Sequence, residues 1–348
     1  MQPIIITCLI SALGLGTLIT FSSSHWLLAW MGLEMNTLAI LPLLAKKHHP
    51  RAVEATTKYF LTQAAAAAML LFTCLSNAWL TGSWSILHLS HPLTTTLTML
   101  ALGLKVGLAP SHFWLPEVLQ GLDLITGLIL STWQKLAPFI LIVQIAPLVN
   151  PHLMMALGLL STLVGGWGGL NQTQLRKILA YSSIAHLGWM ILVVQFAPSI
   201  ALLTLTLYIV ITSVTFLALK TLNCTNLNNL ATSWTKSPTL TALLTPILLS
   251  LGGLPPLSGF MPKWLVITEM IKQDLQLPAT IAALSALLSL FFYLRLCYTL
   301  TLTSPPNIVV SPASWRSSLP QNFLLPTSFT IIALGILPLT PTMLAWFT

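Results

Sequence analysis

The sequence predicts an all-α polytopic membrane protein with about eleven transmembrane helices. Of its 348 residues, 55% are hydrophobic and only 6% are charged, whereas soluble domains carry roughly 25% charged residues. Apolar stretches of about 20 residues, each long enough to cross a bilayer, recur along the whole chain. The alternation of polar and apolar residues that a membrane β-barrel needs does not occur. A bundle of membrane helices is therefore the expected fold class.

Breaks at proline, glycine, serine, asparagine and charged residues separate the apolar segments. The predicted spans lie near residues 3–21, 25–45, 57–79, 94–114, 123–147, 152–171, 177–196, 199–221, 239–259, 278–299 and 324–346. The loops after the second, sixth, eighth and tenth spans contain most of the basic residues, namely Lys46, Lys47, Arg51, Lys58, Arg176, Lys177, Lys220, Lys236 and Arg316. The opposite loops contain only Lys272. The positive-inside rule then places the N-terminus and the basic loops on the cytoplasm-like side.

A short motif occurs twice. Residues 107–110 read Gly-Leu-Ala-Pro, and residues 253–256, 146 positions later, read Gly-Leu-Pro-Pro. Each copy is followed by a phenylalanine and by a second proline six residues after the first. Glycine and proline inside an apolar span interrupt its helix, so both copies predict an interrupted helix.

The repeat predicts the domain organisation. The repeated unit is about five spans long, and an odd number of spans places the copies in opposite orientation. We expect a first five-helix repeat over residues 1–148, a second, inverted repeat over 149–300, and a loop with a C-terminal transmembrane helix over 301–348. Inverted repeats with interrupted helices are typical of transporters. The alternative is that two proline-kinked helices arose by chance in a chain with 23 prolines.

Four charged residues stand out because they lie deep in a predicted span or just beyond an interrupted one. Glu34 lies in the second span, Lys105 and Lys135 lie in the fourth and fifth, and Lys263 follows the second motif. Such a charge costs roughly 2.5–3.5 kcal/mol at the centre of a membrane helix, so four cost on the order of 10–14 kcal/mol unless they are paired or hydrated. That sum is comparable with the stability of many domains, which argues for a function.

We hypothesise a proton relay. Burial disfavours a charged lysine and a nearby carboxylate favours it, so Glu34 would modulate Lys105, which passes charge to Lys135 and Lys263. The structural alternatives are a lysine that extends to the lipid headgroups, most plausible at Lys263, and an ion pair at Glu34 that only fixes helix packing.

Two histidines are further candidates for the relay. His112 lies seven residues after Lys105, and His186 is central in the seventh span. Either can pass protons, or it can be a core histidine whose hydrogen bonds are satisfied.

The sequence contains no pattern for a redox cofactor, a metal or nucleic acid. The four cysteines lie far apart and form no C-x-x-C pair, which argues against an iron–sulfur or zinc site. No nucleotide, flavin or haem motif is present, so this chain is expected to perform no redox step itself. The basic residues form no exposed stripe, so we expect no nucleic-acid partner.

Five segments carry a family resemblance. Residues 25–44, 102–121, 132–138, 176–190 and 252–264 resemble the family of NADH-ubiquinone oxidoreductase chain 2, the mitochondrially encoded, antiporter-like subunit of respiratory complex I in animals. The resemblance covers nearly the whole chain. It implies that Glu34, Lys105, Lys135 and Lys263 belong to the proton path of the family, and it supports His112 and His186.

The resemblance also implies a function. In this family, electron transfer from NADH to ubiquinone in other subunits drives proton pumping, and those subunits hold the NAD, FMN, iron–sulfur clusters and ubiquinone. The expected partners are other complex I subunits, especially neighbouring antiporter-like and small membrane subunits, and phospholipids. The expected location is the mitochondrial inner membrane, with the basic loops and the loop of residues 301–348 facing the matrix. The rival interpretations are a stand-alone cation/proton antiporter and a structural subunit.

Overall fold

The structure, a computed structural model, describes residues 3–46, 49–235, 237–301 and 324–347, which form α-helices and no β-strand. The helices are α1 (Pro3–Ser22), α2 (Trp26–Leu44), α3 (Pro50–Thr81), α4 (Pro92–Val106), α5 (Trp114–Gly121), α6 (Leu124–Ser131), α7 (Trp133–Ile145), α8 (Pro151–Gly168), α9 (Leu175–Val194), α10 (Pro198–Leu222), α11 (Leu227–Ala231), α12 (Pro238–Gly252), α13 (Phe260–Lys272), α14 (Gln276–Thr301), α15 (Leu324–Gly335) and α16 (Thr340–Phe347). The predicted all-α class is confirmed.

Several of these helices can cross a membrane. In the described ranges, seven helical segments are long and apolar enough, or eight if the pair Thr327–Gly335 and Leu337–Phe347, bent by 58°, is one span. The shorter apolar helices α4 and α12 end at the two repeated motifs. The chain is therefore a membrane protein, and the count of eleven spans stays a prediction.

The third predicted span begins earlier than expected. Helix α3 starts at Pro50 rather than near residue 57. Nδ1 of His49 accepts a hydrogen bond from the Arg51 backbone N–H at 3.2 Å, and proline is favourable in the first helical turn because its missing N–H has no partner there. Arg51 and Lys58, predicted in a loop, therefore lie on this helix.

Some predicted basic positions lie outside the described residues. They are Lys47, Lys236 and Arg316. Most of the predicted loop, residues 302–323, also lies outside the described residues.

The chain divides into two compact units, of which the first comprises Met1–Ser161. Helix α3 packs against α2, α4 and α5, and α7 packs against α4. Helices α1 and α2 approach closely through two glycines: a Cβ on Gly32 would lie 2.9 Å from the Gly16 carbonyl oxygen. Small residues allow such contact between membrane helices. This packing positions the charged side chains of α2, α4 and α7 within one unit.

The second unit comprises Thr162–Thr348, and its described helices surround α10. Helix α10 contacts α9, α12, α13, α15 and α16. Arg295 on α14 donates hydrogen bonds from Nη1 and Nη2 to the carbonyl oxygens of Leu170 and Gln172, both at 2.6 Å. These bonds fasten α14 to the turn that follows α8.

Both repeated motifs interrupt a helix in the same way. Helix α4 ends before Gly107 (φ 91°) and α12 ends before Gly253 (φ 80°). Glycine adopts these left-handed conformations without steric cost, and they end a helix. Within the predicted spans 94–114 and 239–259, the helices therefore stop at Val106 and Gly252.

The following helices, α5 and α13, also begin 146 residues apart. The predicted interruptions are confirmed. The two repeats at 1–148 and 149–300 and their inverted arrangement stay predictions.

Candidate functional site

The first unit contains a loose ion pair between α4 and α2. Lys105 lies in the last turn of α4, is only 6% exposed, and places Nζ 3.7 Å from Oε1 of Glu34. That separation exceeds ordinary hydrogen-bond length. Neither atom has a hydrogen-bond partner in the described part of the chain, whereas Oε2 of Glu34 accepts a bond from Thr37 Oγ1 at 3.2 Å. A buried ammonium with unused donors is typical of a position that binds water.

At this pair, the attraction between the two charges is similar in size to the cost of burying them. Two unit charges at about 4 Å attract by about 4 kcal/mol at an effective dielectric constant of about 20. Burying an ion costs several kcal/mol even after the protein relaxes. The two magnitudes are similar, so a small movement of Glu34 relative to Lys105 can change whether the lysine holds its proton.

Lys105 and Lys135 line one cavity. Lys135, in the first turn of α7, is 2% exposed. The cavity leaves ≈ 20 Å³ for the centre of a water molecule, which is room for about one water. Its other polar lining residues are Asn36, Thr37, Tyr59, Gln63, Trp114 and Gln134. The structure therefore brings Lys105 and Lys135 to one polar cavity.

The end of α4 holds Lys105 in place. The last carbonyls of a helix have no donor within the helix. Gln63 Nε2 donates to the Lys105 carbonyl at 3.4 Å, and Trp114 Nε1 donates to the Leu104 carbonyl at 3.1 Å. The negative end of the helix dipole also favours a cation in this last turn.

Lys263 has a related environment in the second unit. It lies in the first turn of α13, is 9% exposed, and donates a hydrogen bond from Nζ to the carbonyl of Gly252, the last residue of α12, at 2.7 Å. Its charge thus lies at the negative end of the interrupted helix. The side chain points back into the unit and does not extend toward the surface.

The two candidate histidines differ in their relation to the lysines. His186 and Lys263 line one cavity, also with ≈ 20 Å³ for the centre of a water molecule. His112 lies in the break between α4 and α5, is 5% exposed, and places Nδ1 3.2 Å from the Pro110 carbonyl oxygen. It follows Lys105 along the chain but is not among the residues that line the Lys105–Lys135 cavity.

Sequence analysis missed several polar residues at these sites. Tyr59, Gln63 and Gln134 line the first cavity, Tyr208 lines the second, and Arg295 is the charge within the tenth predicted span. The cost of a buried charge does not select tyrosine or glutamine, which are uncharged, whereas Arg295 does carry that cost. A search for all hydrogen-bonding side chains within apolar segments would have found the five.

The described residues contain no group of three or more His, Cys, Asp or Glu side chains arranged to hold a metal ion.

Comparison with known proteins decides the family. The family model described as "NADH:quinone oxidoreductase/Mrp antiporter, TM" matches residues 23–289, and the model "NADH dehydrogenase subunit 2 C-terminus" matches residues 290–344. The protein named NADH-ubiquinone oxidoreductase chain 2 from Oncorhynchus mykiss is 68% identical over 99% of both chains. The protein of the same name from Salmo salar is 67% identical over 100% of both. The chain belongs to the NADH-ubiquinone oxidoreductase chain 2 family.

Solved structures agree with this family. A chain of respiratory complex I from Thermus thermophilus with bound aureothin superposes with a TM-score of 0.87 at 28% identity, covering 98% of this chain and 79% of that one. A chain of the Mrp complex from Dietzia sp. DQ12-45-1b has a TM-score of 0.81 at 16% identity, covering 97% and 76%. The second likeness shows a shared fold alone.

Proposed function

We propose that this chain is a proton-translocating membrane subunit of NADH:ubiquinone oxidoreductase. It takes part in the enzyme's reaction as a subunit, and the energy of electron transfer from NADH to ubiquinone in other subunits drives protons through it. Its family membership supports the assignment to this enzyme. The observation that carries the proton path is the polar cavity shared by Lys105 and Lys135, two buried lysines beside an interrupted helix.

Glu34, Lys105 and Lys135 act together in the first unit. When Glu34 approaches Lys105, the charged lysine is favoured, and when the pair separates, burial favours release of the proton. Water in the shared cavity would accept that proton and give it to Lys135. His112, in the break after α4, is a candidate relay at the end of this path.

Lys263 and His186 act in the second unit. Lys263 exchanges its proton with water in the cavity that it shares with His186. The Gly252 carbonyl accepts a hydrogen bond from Lys263 and so favours the charged form between transfers. In the predicted arrangement of two repeats, each repeat contains a lysine site at its helix break.

The family supports the cellular setting. We place the chain in the mitochondrial inner membrane, with the basic loops facing the matrix. Its partners are the neighbouring antiporter-like and small membrane subunits and phospholipids. NAD, FMN, iron–sulfur clusters and ubiquinone bind to other subunits of the complex.

A stand-alone cation/proton antiporter is the second candidate, favoured by the family model, whose description includes the Mrp antiporter. Native extraction separates the two. Gentle detergent extraction of membranes that contain this chain, followed by size separation, should find it in a very large assembly that oxidises NADH and reduces quinone. Recovery of the chain only as a small, separate species without that activity would overturn the assignment in favour of the antiporter. An unrelated small membrane protein that remains separate in the same extract is the control.

A further inference from the structure

Tyr293 connects the Lys263 site to α9. It lies on α14, is 1% exposed, and packs against Gly252: a Cβ on this glycine would lie 3.7 Å from Tyr293 Cδ2. Gly252 is the residue whose carbonyl binds Lys263. The Tyr293 hydroxyl faces Ser182 of α9, yet it makes no hydrogen bond of ordinary geometry within the described residues. A buried hydroxyl in this situation is usually satisfied by an ordered water.

Tyr208 supplies a second hydroxyl beside the first. It lies on α10, is 3% exposed, and lines the cavity of Lys263 and His186. Its ring centroid is 5.5 Å from that of His186, and its hydroxyl interacts with Ser183, the residue after Ser182 on α9, and lies near Tyr293. Two tyrosines from different helices therefore meet two consecutive serines.

The two serines lie along α9 between its basic end and His186. Arg176 and Lys177 occupy the first turn of that helix. Ser182 follows Arg176 by six residues, about 9 Å along the helix axis. His186 lies one turn beyond Ser182, at the cavity. Ile178, Leu179 and Ala180, which separate the basic residues from this polar stretch, are apolar and buried, so the serines belong to the polar groups near Lys263.

We propose that the hydroxyls of Tyr293 and Tyr208, beside Ser182 and Ser183, hold in place the water with which Lys263 exchanges its proton. The tyrosines are positioning residues. The serine hydroxyls donate to the Leu179 and Ala180 carbonyls at 2.8 and 2.7 Å, so their oxygens are left to accept hydrogen bonds. The water takes the proton from Lys263 and returns it, and the hydroxyls only orient that water. The proposal rests on the proposed function, because it requires Lys263 to exchange protons.

The test uses the whole complex with Tyr293→Phe, sealed in lipid vesicles. This change removes the hydroxyl and keeps the ring that packs against Gly252. We expect the rate of NADH-driven proton pumping to fall about fivefold, the effect of losing roughly one hydrogen bond in the transfer path. The solvent deuterium isotope effect on this rate should rise, because proton delivery becomes slower than the other steps. The amount of assembled complex should stay as in the wild type.

Tyr298→Phe is the matched control, because Tyr298 lies on the same helix but is 57% exposed. It should leave the rate and the isotope effect unchanged. A purely structural role of Tyr293 would lower the amount of assembled complex without changing the isotope effect, and that result would overturn the proposal. Wild-type pumping with an unchanged isotope effect would also overturn it.

Lys263→Met, measured in parallel, separates this inference from the proposed function. If Lys263→Met stops pumping while Tyr293→Phe pumps normally, only the role proposed for the tyrosine hydroxyls is refuted. If Lys263→Met itself pumps normally, the proposed function of this site fails. If the complex with Tyr293→Phe does not assemble, Tyr208→Phe is measured in the same way. A normal pumping rate and a normal isotope effect in Tyr208→Phe would refute the role proposed for the hydroxyls.

Discussion

The charge of Lys105 depends on a carboxylate that it approaches but does not bind tightly. Its Nζ lies 3.7 Å from Glu34 Oε1, and the lysine side chain is almost fully buried while the Glu34 side chain is 24% exposed. Removing one partner of a buried ion pair costs about 3–5 kcal/mol. Because the Glu34 side chain is partly exposed, we expect the free energy lost on removing its charge to lie at or below the lower end of that range.

We therefore predict that Glu34→Gln slows proton pumping about tenfold, which corresponds to about 1.4 kcal/mol. Glutamine keeps the size and the hydrogen bond with Thr37 but removes the negative charge that favours the protonated lysine. The measurement is the initial rate of NADH-driven acidification by the whole complex in vesicles.

Glu54→Gln is the control for this change. Glu54 also pairs with a lysine, Lys58, at 2.7 Å, but its side chain is 62% exposed. Exposed ion pairs contribute about 0–1 kcal/mol, so pumping should remain normal. An equal loss of pumping in both variants would show that the effect of Glu34 is not specific to the buried pair.

Reasoning from the sequence identified the charged residues of both sites but not most of their neighbours. The cost of a charge in an apolar span is a local property, so Glu34, Lys105, Lys135 and Lys263 could be selected without a structure. That Gln63 of α3 binds the end of α4 depends on how the helices pack. The sequence pattern contains no information on that contact.

At the scale of helices, the two breaks position the lysines. Each interrupted helix ends at a glycine in the left-handed conformation, and its terminal carbonyls lie beside a lysine. Such helix ends attract cations because the helix dipole is negative there. The break at Gly253 is also crowded, because a Cβ on this glycine would lie 2.9 Å from both Cδ and Nζ of Lys263.

Gly253→Ala should therefore displace Lys263 from the Gly252 carbonyl. Besides this contact, alanine at φ 80° is strained, and such a conformation costs on the order of 1–3 kcal/mol. We predict less assembled complex and, in the complex that assembles, a pumping rate reduced about tenfold or more. The measurements are the yield of assembled complex and its rate of acidification.

Gly14→Ala is the matched control, because nothing lies within 4 Å of a Cβ at that position in α1. Its yield and its pumping rate should both stay as in the wild type. Normal yield and normal pumping by Gly253→Ala would contradict the role assigned to this break.

The positions of the breaks were predictable, whereas the helix ends were not. Glycine and proline in the repeated motifs indicate an interruption, and the structure has one at each. The sequence could not show that a left-handed glycine would end α4 at Val106, since the apolar residues continue beyond it. Helices α6 and α7 divide at Thr132 (φ −112°, ψ −68°), a position where the sequence has no proline or glycine that would predict a break.

At the scale of the molecule, each compact unit contains a buried lysine that lies beside an interrupted helix and lines a small cavity. Composition and apolar segment length predicted the helical membrane fold, because both are properties of the whole chain. The family resemblance implied the enzyme, which the buried charges alone could not indicate. The central claim is that protons cross the membrane through these lysine sites.

Proton pumping by the whole complex with Lys135→Met tests that claim most directly. Methionine retains much of the lysine's length without its charge, so the cavity loses a proton carrier but keeps its packing. Lys272→Met, at an exposed lysine paired with Glu269, is the control that should pump normally. We predict that Lys135→Met assembles but pumps below about a tenth of the wild-type rate, because a positioned proton carrier contributes typically about 10²-fold or more. Wild-type pumping by the assembled Lys135→Met complex would contradict the account.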